Sequence, residues 1–358
     1  MKIQPLFQSK EIVSVQKNLL GASLLQVLLP FVLILFAGCG QQSAPAAPKA
    51  ASNTYQNPVI NSDFPDPRLL HAGNMYYAYA TNASGKNVQV AQSSDLVHWD
   101  QLPDAMPTFP AWAQPGGSFI WVAQAIQIGN TYVLYFTARD QQSDKQCVGV
   151  ATSDKPTGKF KDQNDHALVC QSDQGGTIDP RPFSDNEKLY LYFKNDGNCC
   201  SQPTYLYSQA LSSDGLHVQG KPTQLMHNDQ PWEGKVTEAP DMFKHNGKYY
   251  LFFSANNYAG DAYSVGYASC QTPTGPCQQA AENPILASRM TKKPLIIGPG
   301  GESLLQVGNE TWMAYHKWDV TPDGVQGSNR VMCLDRVTWQ DDKPHIQPTT
   351  DPQPVPHI

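Results

Sequence analysis

The sequence contains few charged side chains and no excess of basic ones. Charged residues make up 16% of its 358 residues, and 31 acidic residues outnumber 25 basic ones, which leaves a formal net charge of −6. Binding to nucleic acid depends on a basic surface that neutralises phosphates, so we expect no nucleic-acid partner. A CxxC motif is also absent, and no spacing of Cys and His is typical of a zinc site.

Helical periodicity is missing as well. The apolar residues do not recur with a period of about 3.6 positions, which argues against a helical solenoid. The chain does contain 29 proline, 26 glycine and 10% aromatic residues, a composition that favours a β protein with many turns. Its length allows one large or two ordinary domains with a sizeable core.

The N-terminus has the features of an export signal. Lys2, Lys10 and Lys17 precede the apolar run LLGASLLQVLLPFVLILFAGCG, and small residues lie just before Cys39. The ending FAGC resembles a bacterial lipobox, in which the cysteine is lipidated and becomes the first residue of the mature protein. A plain membrane anchor is the alternative, because about 20 apolar residues can span a bilayer. In both cases the rest of the chain is expected to face outward and to meet the membrane only through this anchor.

We divide the chain into four parts. Residues 1–39 are the predicted signal peptide, and residues 40–56, which are small, polar and rich in proline, form a predicted flexible tether. The folded domain is predicted over residues 57–345, followed by a C-terminal tail over 346–358. We expect the protein to be a monomer.

Seven cysteines remain beyond Cys39, in a compartment where disulfides persist. We predict the structural bridges Cys147–Cys170 and Cys270–Cys277, because the first pair flanks a strand-turn-strand stretch and the second brackets the turn-rich loop QTPTGP. An odd number is left, so one thiol is expected to be free or the pairing is different. These three are Cys199, Cys200 and Cys333.

A motif recurs five times along the chain. Each copy is a short strand, a turn built on Gly or Asp/Asn, and a strand of alternating aromatics. The copies are PRLLHAGNMYYAYAT, QAIQIGNTYVLYFTA, DPRPFSDNEKLYLYFK, EAPDMFKHNGKYYLFFS and ESLLQVGNETWMAYHK, with leading positions 66, 124, 179, 238 and 302. A second, strand-like signature follows each copy. Five units of four strands predict an all-β fold, a five-bladed β-propeller with four antiparallel strands per blade.

The propeller brings three acidic residues together. Equivalent positions lie around one axis, so Asp66, Asp179 and Glu238, which lead units one, three and four, should gather at one end of the central funnel. Grouped carboxylates raise the pKa of at least one member, which lets one acid stay protonated beside an ionised base, as glycoside hydrolysis requires. A calcium site is the alternative, because this cation binds several carboxylate oxygens.

In these motifs the chain resembles glycoside hydrolase family 43. FPDPRLL, GGTIDPRPF, TEAPDMFKHNGKYYLFFS and IIGPGGESLL occur in the family's order, and the resemblance extends from NPVINSDFPDP to about DRVTW. It implies a five-bladed propeller that hydrolyses O-glycosyl bonds with inversion. By the same resemblance Asp66 is the general base, Asp179 tunes the pKa of the acid and orients it, and Glu238 is the general acid.

The resemblance also suggests the substrate. The family's usual substrates are α-L-arabinofuranosides, arabinan and β-xylosides, so we predict an α-L-arabinofuranosidase or arabinanase that acts on plant cell-wall oligo- or polysaccharides. A β-xylosidase is the alternative within the family. A carbohydrate-binding surface lipoprotein without turnover is the alternative from another class, and the presence of all three carboxylates argues against it. A β-fructosidase-type hydrolase is disfavoured because its NDPNG-like opening is absent.

Two motifs depart from the family pattern. Many members have a histidine in GPGH near the axis, often associated with a metal ion, whereas this chain has Gly301 in GPGGES. We expect no required cofactor and leave an axial Ca²⁺ open. The family's WAP motif is replaced by WVAQA, which begins at Trp121.

Candidate sugar-binding residues fall into two groups. Tryptophans in loops before the inner strands could stack on sugar rings, with packing inside a blade as the alternative. These are Trp112, Trp121 and Trp232. His316 and Arg330 lie in unit five near the expected axis, and Arg330 could donate hydrogen bonds to sugar hydroxyls or form a structural ion pair.

Overall fold

A ring of five small antiparallel sheets forms the folded part of the chain. The computed structural model describes residues 53–115, 120–291, 293 and 295–358. Within these ranges the sheets are the blades of a β-propeller, which confirms the predicted fold class. The predicted signal peptide with Cys39, and the tether up to residue 52, lie outside the described residues.

In each blade the strands follow one another in chain order. Blade one consists of β2 (Arg68–Ala72), β3 (Met75–Ala80), β4 (Gln89–Ser93) and β5 (Asp100–Gln101). Blade two consists of β6 (Trp121–Ile128), β7 (Thr131–Arg139) and β8 (Gln146–Ser153). Blade three consists of β9 (Thr177–Asp185), β10 (Lys188–Asn195), β11 (Tyr205–Leu211) and β12 (Val218–His227). Blade four consists of β13 (Thr237–His245), β14 (Lys248–Ala255), β15 (Ser264–Cys270) and β16 (Cys277–Gln279). Blade five consists of β17 (Gly300–Val307), β18 (Glu310–Val320), β19 (Gln326–Gln340) and β20 (Lys343–His345).

Among the residues that the structure describes, blade two has three strands rather than the predicted four. Where a fourth strand would pair, Lys161 makes one isolated bridge to Thr152 through two backbone hydrogen bonds of 3.0 Å. Pro156 and Gly158 precede this bridge, and both residue types disfavour a regular strand. The described residues also form short 3₁₀ turns over Ser172–Gln174, Gly197–Cys200 and Pro231–Glu233. Within those same ranges no helix is both long and apolar enough to cross a membrane.

The turns of the hairpins follow from their residues. Asn246 and Gly247 join β13 to β14, and their φ angles of 48° and 77° are the left-handed pair that a type I′ turn requires. Asn tolerates this conformation and Gly has no Cβ to oppose it, so the sequence HNGK closes a two-residue hairpin.

The core consists of apolar clusters between neighbouring blades. One cluster lies between blades two and three, where Tyr135 and Phe193 are fully buried, and another lies between blades three and four around Tyr192 and Phe253. The cluster between blades five and one, which includes Phe64, closes the ring. These side chains come from the second strand of a blade or from its entry segment, and burying each one contributes about 1.5–3 kcal/mol.

A left-handed residue begins the inner part of every blade. The φ angles at this position are 44° to 61°, and the residues are Asp66, Val122, Asp179, Ala239 and Gly301. This repeat corrects the predicted alignment, because the residue of blade four that matches Asp66 and Asp179 is Ala239, and Glu238 comes one position earlier. A left-handed conformation is rare for a β-branched residue such as Val122 and costs about 1–3 kcal/mol.

Two residues further on, each blade contributes a buried polar side chain to the axis. Arg181 donates from Nε to Asp241 Oδ1 at 2.7 Å and from a terminal nitrogen to Gln124. Asp241 also accepts the Leu304 N–H, and Ser303 Oγ accepts the Leu69 N–H. The five equivalent residues are Arg68, Gln124, Arg181, Asp241 and Ser303. Because breaking a buried pair leaves an uncompensated charge, these contacts tie the blades together at the axis.

Both ends of the described region add to the fold. β1 (Thr54–Tyr55) pairs with β21 (Gln353–Pro354), so the last residues of the predicted tether and part of the predicted tail form a two-stranded sheet. Tyr55 donates to the carbonyl of Leu334 at 2.6 Å, which fixes the N-terminal strand on blade five. The folded region therefore extends beyond the predicted limits of 57 and 345.

The structure joins the cysteine pairs that the sequence predicts, Cys147–Cys170 and Cys270–Cys277. It also joins two neighbours, Cys199 and Cys200, in the 3₁₀ turn between β10 and β11. Cys333 is free and buried. The odd thiol is therefore inside blade five, away from solvent.

Candidate active site

The three predicted carboxylates meet in one cavity of about 330 Å³ at the end of the funnel. Asp66, Asp179 and Glu238 all line it, although they come from blades one, three and four. A larger cavity of about 860 Å³ adjoins it and shares Glu238 as a lining residue. Glu238 therefore lies where the two cavities meet.

Asp66 is held as an ionised carboxylate. Thr81 donates to Asp66 Oδ2 at 2.7 Å, and the Arg330 guanidinium lies 3.4 Å from Oδ1. Burial by itself raises the pKa of Asp66, but the charge of Arg330, the contact with His316 and the hydrogen bond from Thr81 together outweigh it and lower the pKa well below its ordinary value. At neutral pH this side chain can accept a proton.

His316 supports Asp66 from behind. Its ring is fully buried and stacks on Tyr263, and its Nδ1 accepts the backbone N–H of Asp66 at 3.1 Å. Nδ1 also lies 3.3 Å from Asp66 Oδ1, but a nitrogen that accepts the N–H cannot donate to the carboxylate. Burial lowers the pKa of His316, so the neutral ring with its proton on Nε2 fits both observations.

Asp179 has the opposite environment. It is buried and accepts the backbone N–H of Ala239 at 2.8 Å. Burial, and next the negative charge of Glu238, raise the pKa of Asp179 to about 7. The pKa values of these two aspartates therefore shift in opposite directions. Near neutral pH Asp66 is ionised and Asp179 is able to hold a proton.

Glu238 receives two hydrogen bonds. Tyr263 donates to Oε1 at 2.8 Å, and Lys194 donates to Oε2 at 3.2 Å. Lys194 is fully buried and also donates to Asn198 Oδ1 at 2.7 Å. These contacts fix the direction of the carboxyl group toward the cavity.

Only some of the predicted sugar-binding residues line the cavity. Trp121 and Arg330 line the cavity, and Arg330 stacks on Tyr258 with 5.0 Å from Cζ to the ring centre. His316 does not line the cavity, because it lies buried behind Asp66. Asp63, in the same stretch as Asp66, accepts the backbone N–H of Arg330 at 2.9 Å and so positions that residue.

The structure corrects the prediction for two tryptophans. Trp112 is buried in blade two, stacks on Phe136 at 6.1 Å and donates to Asp162 at 2.8 Å. Trp232 packs on Phe253 at 5.6 Å and fills the space above Gly266, where a Cβ would lie 2.7 Å from its ring. Both side chains fill gaps inside blades. A tryptophan that precedes a strand in the sequence can pack in this way or be exposed at the funnel, and the sequence alone does not show which.

Sequence reasoning missed several cavity residues. Asp196, Asn198 and Cys199 follow the aromatic strand β10 and reach the same end of the funnel as Asp179. Burial raises the pKa of Asp196 to about 6. A usable signal was the polar run KNDGN, because the loop that follows the second strand of a blade returns to the end where the inner strand begins. Tyr258 and Tyr263 gave no comparable signal.

The axis does not fit a calcium ion. At Gly301 a Cβ would lie 2.6 Å from His316 Nδ1 and 2.8 Å from Asp66 Oδ1, so there is no room for a side chain such as histidine at this position. Burial raises the pKa of the neighbouring Glu302 to about 8, and the fully buried Arg68 guanidinium donates to the carbonyl of Glu302. Neutral carboxyls and a guanidinium are poor calcium partners, and the described residues contain no cluster of three His, Cys, Asp or Glu suited to a metal.

Comparisons with known proteins all find similarity to glycoside hydrolases. The family model of glycosyl hydrolases family 43 matches residues 55–344. The β-D-galactofuranosidase xynD of Aspergillus niger is 27% identical over 88% of this chain and 90% of its own length. An extracellular endo-α-(1→5)-L-arabinanase of Thermotoga petrophila is 28% identical over 59% of this chain and 50% of its own. The crystal structure of a thermostable family-43 glycoside hydrolase superposes with a TM-score of 0.76 at 32% identity, and the match covers 85% of this chain and 100% of that one.

Proposed function

The chain belongs to glycosyl hydrolase family 43, and from this premise we propose that it is an inverting α-L-arabinofuranosidase or arabinanase. It is a glycosidase that hydrolyses O-glycosyl bonds, as the family does. The observation that carries the proposal is the convergence of Asp66, Asp179 and Glu238 on one cavity with opposite pressures on the pKa values of the two aspartates.

Asp66 is the general base. Its depressed pKa keeps it ionised, so it takes a proton from a water molecule that attacks the anomeric carbon. Thr81 and the backbone contact to His316 hold the carboxylate in one orientation, which lowers the entropic part of the barrier. The water adds from the side of Asp66, and the configuration at the anomeric carbon inverts.

Glu238 is the general acid. It donates a proton to the glycosidic oxygen as the leaving group departs, and Tyr263 and Lys194 aim its carboxyl at the cavity. Asp179 lies beside it, joined to the next residue through the Ala239 N–H. The charge of Glu238 contributes to the raised pKa of Asp179, so the two carboxyl groups interact electrostatically, and this interaction is the tuning role we assign to Asp179.

The position of Glu238 also supports a substrate with several sugar units. The acid acts on the leaving-group side of the bond, and the 860 Å³ cavity opens on that side, with Tyr205 and Tyr258 among its lining residues. Aromatic side chains of this kind stack on sugar rings. An oligo- or polysaccharide is therefore the substrate that the two cavities fit best.

Five-membered sugar rings are the first choice of substrate. Two of the similar proteins are named for furanose chemistry, the A. niger galactofuranosidase and the T. petrophila arabinanase, and arabinan is a polymer of arabinofuranose. A panel of aryl glycosides decides the sugar. Turnover of the aryl α-L-arabinofuranoside supports the proposal, whereas turnover of the aryl β-D-xyloside alone would assign a β-xylosidase.

A variant of the acid separates catalysis from binding. Glu238→Gln should lower kcat on an unactivated oligosaccharide by about 10²–10⁴-fold. Glu282→Gln is the matched control, because this glutamate lies away from the cavity, at Tyr267 and Lys343. Equal rates for the two variants would contradict the acid role, and binding without turnover in the parent would indicate a carbohydrate-binding lipoprotein.

We also propose that the protein is exported and carries a lipid on Cys39. The apolar run and FAGC ending support this, and so does the word extracellular in the name of the T. petrophila relative. The parent should incorporate a labelled fatty acid, and Cys39→Ser should not. A parent that carries no label would refute lipidation. We further propose that the folded domain is a monomer, and analytical ultracentrifugation, which measures its mass in solution, can check this.

A further inference from the structure

Two neighbouring cysteines form part of the cavity wall. Cys199 and Cys200 are joined in the 3₁₀ turn Gly197–Cys200, which connects the second and third strands of blade three. Cys199 is exposed and lines the cavity that contains Asp66, Asp179 and Glu238. The Cys199 half of the disulfide therefore faces the same space as the proposed base and acid, while Cys200 is half-buried behind it, with its sulfur 3.3 Å from Lys145 Nζ.

Global stability does not explain this disulfide. A cross-link stabilises a protein mainly by closing a loop in the unfolded chain, and the effect grows with loop length. Cys147–Cys170 closes a separation of 23 residues, whereas Cys199–Cys200 closes a separation of 1. The neighbouring pair restricts the unfolded chain very little, so its effect must be local.

The surrounding backbone holds the sulfur atoms in place. Cys199 Sγ lies 3.4 Å from the carbonyl oxygen of Gly175, and a Cβ at Gly175 would lie 2.3 Å from the carbonyl oxygen of Asp196. Asn195 donates to the carbonyls of Gln174 and Pro203 and accepts the Tyr205 N–H. The turn is fixed at both ends, so the disulfide has one position relative to the cavity.

The disulfide gives the wall a chemical character that its neighbours lack. Its neighbours in the chain are polar: Asp196 presents a carboxylate to the cavity and Asn198 an amide, and both groups bind hydroxyls. Two bonded sulfur atoms are apolar and polarisable, and they have no proton to donate. A sugar ring has hydroxyls on its edge and C–H groups on its face, so the sulfur surface is complementary to the face.

We propose that the Cys199–Cys200 disulfide is a substrate-binding element, an apolar wall against the C–H face of the sugar unit held between Asp66 and Glu238. This inference rests on the proposed function, because the sugar in the cavity is the one whose bond is cleaved. It makes the disulfide a determinant of affinity rather than of the chemical step. The aromatic Trp121 lines the same cavity.

The test compares three paired variants, two at Cys199 and Cys200 and one control, on the aryl α-L-arabinofuranoside. C199A/C200A should raise KM by about tenfold, with kcat and the pH profile of kcat unchanged, because one apolar contact is lost. C199S/C200S should raise KM at least as much, since hydroxyls replace the apolar surface. C270A/C277A, which removes a bridge of separation 7 far from the cavity, should leave KM unchanged. Circular dichroism should show folded protein for all three.

Binding to the Glu238→Gln protein separates this inference from the proposed function. Calorimetry with an arabino-oligosaccharide should give a Kd that rises by about tenfold when C199A/C200A is added. If the parent is active but neither C199A/C200A nor C199S/C200S changes KM, and C199A/C200A does not change Kd, the proposed wall alone would be overturned. A change of kcat or of its pH profile without a change of KM would also overturn it, because the disulfide would then position the acid. A parent that neither binds nor hydrolyses any sugar of the panel would overturn both proposals.

Discussion

Replacing Arg330 by methionine should shift the acidic limb of the pH–rate profile. Arg330 lies 3.4 Å from Asp66 Oδ1, and its charge is the main influence that lowers the pKa of Asp66 against the effect of burial. Methionine keeps an apolar stem of similar length and removes the charge. The pKa of Asp66 should then rise, and the base should become protonated at a higher pH than in the parent.

The size of this shift follows from the distance. At about 3.4 Å two unit charges interact by about 1 kcal/mol at the dielectric constant of water and about 5 kcal/mol at an effective value near 20. The side chains of Arg330 and Asp66 are 17% and 14% exposed, so the interaction lies between these limits. Each pKa unit corresponds to about 1.4 kcal/mol, so the limb should move up by about one to three units.

The assay is kcat/KM against pH on an aryl glycoside, because this parameter reports the free enzyme. Arg330→Lys is the control, since it keeps the charge and should move the limb less than Arg330→Met. Loss of a sugar contact alone would raise KM equally at every pH and leave the limb in place. An unmoved limb in Arg330→Met would therefore refute the assignment of Asp66 as a base held ionised by Arg330.

Three further predictions concern the neighbours of this pair. Asp179→Asn removes a carboxylate that interacts electrostatically with Glu238, so the alkaline limb of the kcat/KM profile should move to lower pH; an unchanged limb would speak against the tuning role. Gly301→Ala brings a Cβ to 2.6 Å from His316 and 2.8 Å from Asp66 at a φ of 61°, so it should cost about 1–3 kcal/mol in thermal unfolding and lower kcat, whereas Gly129→Ala, where φ is 59° but nothing lies within 4 Å, should affect only stability. Incubation with a chelator should change kcat/KM by less than about twofold, because the axial residues do not fit calcium, and a loss that added Ca²⁺ restores would contradict this.

The sequence is sufficient to predict the propeller fold, because each repeat unit is a short continuous stretch of the chain. Each unit repeats a strand, a turn and an aromatic strand, and turns such as Asn246–Gly247 fix hairpins without help from distant residues. Blade two loses its fourth strand because Pro156 and Gly158 interrupt the pattern. The sheet between Thr54–Tyr55 and Gln353–Pro354 joins segments at the two ends of the described chain, and no short pattern in either segment could indicate such a pairing.

The site is predictable only in part because it depends on side-chain direction. Asp66 and Asp179 follow from a shared repeat position, but Glu238 lies one residue before that position, and only the left-handed backbone at Ala239 shows why. Trp112 and Trp232 have the same sequence context as Trp121 and pack inside blades instead. The disulfide of Cys199 and Cys200 could not be assigned either. Three cysteines remained after the two predicted bridges, and the sequence does not show which one of them is the free thiol.

The stereochemistry of the first product tests the central claim most directly. Proton NMR of an aryl α-L-arabinofuranoside reaction, recorded before the sugar mutarotates, identifies the anomer that the enzyme releases. Attack by a water molecule on the Asp66 side, opposite a proton from Glu238, should release the β-anomer first. Initial release of the α-anomer would contradict the assignment of Asp66 as a base, because it would require a covalent intermediate on a carboxylate.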